Sequence, residues 1–151
     1  MRIVIGADHV GYDLKSAVGD LLARLGHETV DFSPPVLDFD DDYPQVASRL
    51  ARAVARGEFD RGILICGTGI GVCIAANKVD GVRAALCGDT YSAHSSREHN
   101  DANVLCLGAR VLGVGLARDI VRTFLAAAFS SEDRHRRRVA MIGQVEAKGE
   151  C

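Results

Sequence analysis

No stretch of this chain reaches the ~18 consecutive apolar residues of a membrane-spanning helix, so no membrane partner is expected. The opening Met1-Arg2-Ile3-Val4-Ile5-Gly6 runs straight into a strand pattern and lacks the long apolar region of a secretory signal. The five cysteines (Cys66, Cys73, Cys87, Cys106 and Cys151) include no C-x-x-C pair, so neither metal spacing nor a dithiol motif is present. An odd count without such spacing points to reduced thiols in a cytoplasm. The net charge of −2 is too small to draw the protein to nucleic acid. Internal repeats, low-complexity tracts and linkers are also missing. What remains is an ordinary composition, 48% hydrophobic and 25% charged, over 151 residues. That length predicts a single domain, 1–151, burying ~68–70% of its unfolded surface.

Apolar spacing divides the chain into alternating strands and helices. Arg2–Gly6 reads as a strand, and Asp8 and His9 sit just past its carboxyl end. Leu14, Val18, Leu21, Leu22 and Leu25 recur at threes and fours, the spacing of one helix face, with Gly26 suited to follow the helix end. Glu28–Phe32 is a second strand, completing a β–α–β unit. Ser33–Pro44 is a proline-containing acidic loop. Asp38, Asp40 and Asp42 imitate the start of a calcium loop, but Tyr43 stands where that loop needs glycine and Arg49 where it needs glutamate. A solvated acidic loop is the better reading. A helix follows over Ala47–Arg56, then the strand Ile63–Ile65 and a short helix, Val72–Lys78. After the turn Asp80-Gly81 come a strand, Val82–Cys87, and a helix capped by Thr90 or Ser92 and running through Glu98. The strand Val104–Leu107, the helix Val114–Phe129 and a helical tail from Glu132 to about Lys148 complete the pattern.

Five strands alternating with helices predict an α/β fold, a three-layer αβα Rossmann-like arrangement with a parallel five-stranded sheet. Ligands of such sheets collect outside the carboxyl ends of the strands. Asp8, His9, Cys66 to Gly71 and Arg110 fall there. His99 and Asn100 precede the fifth strand, so their helix end would have to fold back over that edge to join them.

The strongest chemical signal is Gly62–Lys78, GILICGTGIGVCIAANK. Its strand, apolar on both faces, breaks at Cys66-Gly67-Thr68-Gly69-Ile70-Gly71. A glycine-rich turn between a buried strand and a helix can gather backbone N–H groups around an anion. No lysine follows at the spacing of a Walker A loop. Nor is this pattern, G-x-G-x-G in the middle of the sequence, the G-x-G-x-x-G of a first dinucleotide-binding unit. Glycines alone would serve only a tight turn. Cys66 at the mouth of the turn, with Thr68 beside it, moves the reading toward chemistry.

Six segments, taken in order, resemble the B-type ribose-5-phosphate isomerase family, which also contains the galactose-6-phosphate isomerase subunits. They are Gly6-Ala7-Asp8-His9-Val10-Gly11, Asp42-Tyr43-Pro44, Ile65 to Gly71, Ala75-Ala76-Asn77-Lys78, Ser96 to Asn103, and Arg134-His135-Arg136-Arg137-Arg138-Val139. Each is weak alone; together they span nearly the whole chain.

The resemblance implies an aldose–ketose isomerase of sugar phosphates working without metal or cofactor. It implies Cys66 as the base moving a proton between C1 and C2, and His99 as the residue that helps open the sugar ring. Thr68 and Asp8 join these two as catalytic residues. Gly67, Thr68, Gly69, Ile70 and Gly71 would hold the enediolate oxygens, and Asp8 and Asn100 would contact hydroxyls. His9, Arg110, Arg134 and Arg138 match phosphate-binding positions. The family's glutamate-using members differ here, because Val72 and Cys73 follow the glycines. The resemblance further implies a homodimer or a dimer of dimers, its C-terminal helix crossing to complete the partner's site.

Elementary chemistry is consistent with this. N–H donors aimed at an enediolate contribute ~3–4 kcal/mol each. The phosphate is a remote handle for positioning. Arg134 and Arg138 stand one helical turn apart, so both can face one phosphate.

The residues alone leave several readings open. Arg134–Arg138 is either a solvated basic face or a phosphate clamp. His9 and His99 are either structural or functional. Tyr43 either lines the site or anchors its loop beside Pro44. Cys73, Cys87, Cys106 and Cys151 read as packing or incidental residues. The Ser33–Asp42 loop is more acidic and proline-rich than the resemblance leads one to expect. A nucleotide-binding or regulatory domain of the same fold is a rival reading, because fold does not fix function. So is one half of a hetero-oligomeric isomerase of a hexose 6-phosphate such as galactose or allose 6-phosphate.

Overall fold

Short runs of aliphatic residues without polar alternation fix the centre of the molecule. A computed structural model describes residues 1–34 and 39–148; Asp38 and Cys151 lie outside the described residues. The strands are β1 (Arg2–Ala7), β2 (Glu28–Asp31), β3 (Arg61–Cys66), β4 (Ala84–Leu86) and β5 (Val104–Gly108). All pair in parallel, in the order β2-β1-β3-β5-β4. In the central strands Ile3, Val4, Ile63, Leu64, Ile65, Val104, Leu105 and Leu107 are fully buried, as strands covered on both faces require.

On one face lie α1 (Tyr12–Arg24), α4 (Thr90–Glu98) and α5 (Val114–Ala126), packed through Leu14, Val18, Leu21, Ala93, Ile120 and Phe124. On the other lie α2 (Tyr43–Ala55) and α3 (Ile70–Ala76), packed through Ala47, Leu50, Val54, Val72 and Ala76. The last helix, α6 (Asp133–Lys148), keeps Met141, Ile142 and Val145 each 41% exposed. Among the described residues no helix is long and apolar enough to cross a membrane.

The expected three-layer α/β fold is present, with shifted boundaries. Helix α2 begins at Tyr43, not Ala47, because Pro44 occupies its first turn, where no N–H partner is needed. Helix α4 is capped by Asp89 rather than Thr90 or Ser92; the Asp89 carboxylate accepts from the Ser92 N–H at 2.7 Å. Strand β4 is shorter than Val82–Cys87 because Val82 still belongs to the preceding turn, its N–H bonded to the Val79 carbonyl at 3.1 Å. Helix α5 stops at Ala126, where Ala127 turns extended, rather than at Phe129.

Two consequences position the site. The chain leaves β1 for β2 on one side and returns to β3 on the other, which opens a crevice outside the carboxyl ends of β1 and β3. And α4 runs back against the strand direction before β5 begins. Val104 pairs with Gly62, while Cys66 pairs with Gly108. His99 and Asn100 therefore stay at the amino edge, ~13 Å along the strand direction from Cys66 at ~3.3 Å per residue. Within one chain the end of α4 does not fold back over the carboxyl edge.

Candidate active site

The crevice is built from the ends of β1, β3 and β5. Cys66 closes β3 and is 5% exposed. The Gly69 N–H donates to its Sγ at 3.1 Å. That contact needs the loop to turn at Gly69, where φ is +79° and an added Cβ would lie 2.9 Å from the Leu107 carbonyl carbon. The Ile70 N–H donates to Thr68 Oγ1 at 3.3 Å. The loop is tied to the end of β5, with the Ala109 N–H on the Cys66 carbonyl at 2.8 Å and the Arg110 N–H on the Gly67 carbonyl at 2.9 Å. These bonds hang Arg110 over Gly67.

Across the crevice, the Asp8 N–H donates to the Ile65 carbonyl at 3.3 Å and Asp8 Oδ1 accepts from the Gly11 N–H at 2.9 Å. Tyr43 rests on the glycine loop: an added Cβ on Gly71 would meet its ring at 2.5 Å. Tyr43 thus lines the crevice, and a side chain at Gly71 would displace it. Asp8, Tyr43, Cys66, Thr68 and Arg110, with Gly67, Ile70 and Gly71, bound a cavity of about 450 Å³. His9 stands on the same rim.

Burial pushes the Asp8 carboxyl above its ordinary 3.8, and the nearby Asp41 adds to this; the Gly11 N–H and His9 oppose it. Its proton is therefore held more tightly folded than unfolded. The fold then loses stability as the pH rises from 3.8 through the raised value. Asp8→Asn keeps the acceptor oxygen for Gly11 and removes the charge. The variant should be more stable than wild type in urea at pH 7, with the gap closing by pH 3.5. A variant less stable at both pH values would mean that the hydrogen bonds and His9, not burial, dominate.

A second cluster forms at the opposite edge. The His99 ring, just past α4, packs on His135 of α6 with centroids 4.4 Å apart. His99 Nε2 lies 3.1 Å from Glu98 Oε2. Arg134 pairs with Glu132 at 2.7 Å, and Arg138 follows one turn along α6. The Asn100 carbonyl accepts from Arg83 Nε at 3.1 Å. With Arg83, Ile142 and Val145, Asn100 also lines a separate cavity of about 690 Å³ beside α6. His135 is 4% exposed, and its Nδ1 has no hydrogen-bond partner among the described residues. Loss of water and the neighbouring His99 and Arg134 push its pKa below 6.5. Sequence reasoning assigns this residue no role of its own; the only signal there is a lone histidine inside a run of arginines.

The expected residues thus divide. Asp8, Tyr43, Cys66 to Gly71 and Arg110 gather at the carboxyl edge, with His9 beside them. His99, Asn100, Arg134 and Arg138 lie at the other. Within one chain the two groups do not meet. Among the described residues no three His, Cys, Asp or Glu side chains converge as a metal site would require. One incidental cysteine has acquired character: hydrogen bonds from Cys106, the Leu86 N–H and Asn77 bring the half-buried Cys73 thiol down to about 7.

Comparison with known proteins places this geometry. Residues 3–142 match the Ribose/Galactose Isomerase family. Ribose-5-phosphate isomerase B of Escherichia coli strain K12 is 47% identical over 147 residues, covering 97% of each chain. D-erythrulose-4-phosphate isomerase of Pectobacterium atrosepticum is 49% identical over 129 residues, covering 85% of each. The structure of Clostridium thermocellum ribose-5-phosphate isomerase B superposes with a TM-score of 0.95 at 52% identity, covering 99% of this chain and 100% of that one. With that fold, and close to half its residues shared with B-type ribose-5-phosphate isomerases over nearly its full length, the chain belongs to the ribose/galactose isomerase family.

Proposed function

We propose that this protein interconverts ribose 5-phosphate and ribulose 5-phosphate through an enediolate, with Cys66 as the carbon base and His99 in ring opening. The observation that carries this reading is the Cys66 Sγ at the mouth of the glycine loop, 3.1 Å from the Gly69 N–H. In the open-chain aldose the carbonyl at C1 acidifies the C2–H. The Cys66 thiolate takes that proton, and the electron pair moves into the C1–C2 bond as O1 becomes anionic. Loop N–H groups hold the developing charge where it forms. The thiol returns the proton to C1 while O2 becomes the carbonyl and its hydroxyl proton passes to O1. Asp8, held toward its protonated form by burial, is suited to carry that oxygen-bound proton. His9 and Arg110 bind the phosphate from the Cys66 side.

The remaining contacts come from a second copy of the chain. His99 and Asn100 reach the sugar from it, and its Arg134 and Arg138 reach the phosphate. The division of the site between opposite edges supports this, as does the exposed apolar face of α6. The active unit is then a homodimer, alone or paired as a dimer of dimers. Unpaired Cys66, Cys73, Cys87 and Cys106 support a cytoplasmic location.

A second substrate is favoured by one observation, the 49% identity to a D-erythrulose-4-phosphate isomerase. The purified chain should therefore be assayed on ribose 5-phosphate, D-erythrulose 4-phosphate, and galactose and allose 6-phosphates, as wild type and as His99→Asn. We expect the highest kcat/KM on ribose 5-phosphate. Preference for the tetrulose or a hexose would reassign the substrate, and no turnover on any would favour a hetero-oligomer or a binding domain. Ribose 5-phosphate rests as a ring, and opening it needs proton movement between ring and anomeric oxygens, which histidine suits near neutrality. A tetrulose 4-phosphate cannot close a furanose ring. His99→Asn should lose about 10²-fold or more on the pentose and much less on the tetrulose. Equal losses would place His99 in the enediolate step or in positioning.

A further inference from the structure

The acidic segment before α2 has no part in the chemistry above, yet one of its carboxylates is not solvated. Asp40 and Asp42 are exposed, but the Asp41 side chain is only 11% exposed. It meets His9 twice. His9 Nδ1 lies 2.6 Å from Asp41 Oδ1, and the His9 main-chain N–H reaches the same carboxylate at 3.1 and 3.3 Å. Phe39 packs against the same imidazole, ring centroids 5.9 Å apart.

We propose that Asp41 is the positioning residue for the substrate phosphate, acting through His9; this rests on the reading of His9 as a phosphate-binding residue. A carboxylate only accepts hydrogen bonds, so the nitrogen facing it carries the hydrogen. Nε2 is then the ring atom left for a ligand. A phosphate dianion is also only an acceptor, so it takes an Nε2–H. A histidine that donates from both nitrogens is the imidazolium. Asp41, His9 and the phosphate thus form a line of alternating charge, with charge-assisted hydrogen bonds at both ends. Without that cation between them, a carboxylate so close would repel the phosphate. The main-chain bond would suffice to tether the loop. The second bond, to the ring, is the one that reaches the substrate.

The test combines kinetics with a binding probe that does not need turnover. For wild type, Asp41→Ala, Asp41→Asn, His9→Asn and the double variant Asp41→Ala/His9→Asn, we would measure kcat and KM for the preferred sugar phosphate. The Kd of inorganic phosphate would be measured by NMR titration. Asp41→Ala should raise KM and the phosphate Kd together by about tenfold, the scale of one hydrogen bond to a charged group, with kcat changed less than about threefold. Asp41→Asn, which keeps the acceptor oxygen and loses the charge, should fall between. In the His9→Asn background Asp41→Ala should change neither quantity further, since the two act as one unit. The same loss in both backgrounds would overturn the proposal, as would an unchanged phosphate Kd in Asp41→Ala. If wild type turned over no sugar phosphate, the functional reading would fail, and the phosphate Kd values would still decide the role of Asp41.

Discussion

Cys66→Ala should leave a folded protein that binds the substrate and does not isomerise it. Removing a positioned base from a carbon acid costs about 10³-fold or more in kcat. Cys73, the next thiol along the chain, does not substitute. Cys73 lies farther along α3 and its sulfur faces the Ala84 carbonyl at 3.4 Å. Folding should survive because alanine loses one atom at a 5% exposed position and the loop keeps its ties to Ala109 and Arg110; the expected cost is about 1 kcal/mol. Binding should survive because, on the proposed reading, the phosphate and hydroxyl contacts come from other residues. Turnover by a coupled assay and substrate binding by titration separate the two effects. Chemical alkylation would not, because Cys73, with its thiol at about 7, would be modified as well. Near-normal turnover in Cys66→Ala would remove Cys66 from the mechanism.

The parts of the fold legible in sequence are those with one local cause. Ile63-Leu64-Ile65 and Val104–Leu107 have no polar alternation, and a strand so composed has to be covered on both faces. The glycine loop after Cys66 is legible because its position between strand and helix and its composition point the same way. Element boundaries differ from the sequence pattern where a single residue reverses its usual sense. Pro44 starts α2 instead of ending a loop, and Asp89 caps α4 ahead of two hydroxyl residues that also qualify.

Spatial relations were less accessible. Nothing local tells β5 to pair with β3 and leave β4 at the edge. The same limit hid the division of the site. His99 and Asn100 close a helix that returns to the amino edge, and sequence order alone does not give that direction. The surroundings of His135 and Asp41 are not legible in the sequence for a related reason. Each looks like one more charge in a polar run, and only the fold supplies the ring that each one touches.

The division leads to the other large effect. If each site takes Cys66 from one chain and His99 from its neighbour, two crippled proteins contain between them every part of a working site. A homodimer of Cys66→Ala has two sites without a base. A homodimer of His99→Asn has two sites without the ring-opening histidine. In a mixed dimer one site carries both defects and the other carries none. Random exchange of equal amounts makes about half the dimers mixed. Each has one intact site of two, so activity on ribose 5-phosphate should rise to about a quarter of wild type from near zero. The two variants, carrying different affinity tags, would be mixed under conditions that exchange subunits, and the doubly tagged dimers would be isolated and assayed. Recovery to about half of wild type in that fraction is the result this account predicts. Doubly tagged dimers as inactive as either parent would contradict it, because both residues would then have to serve a site built within one chain.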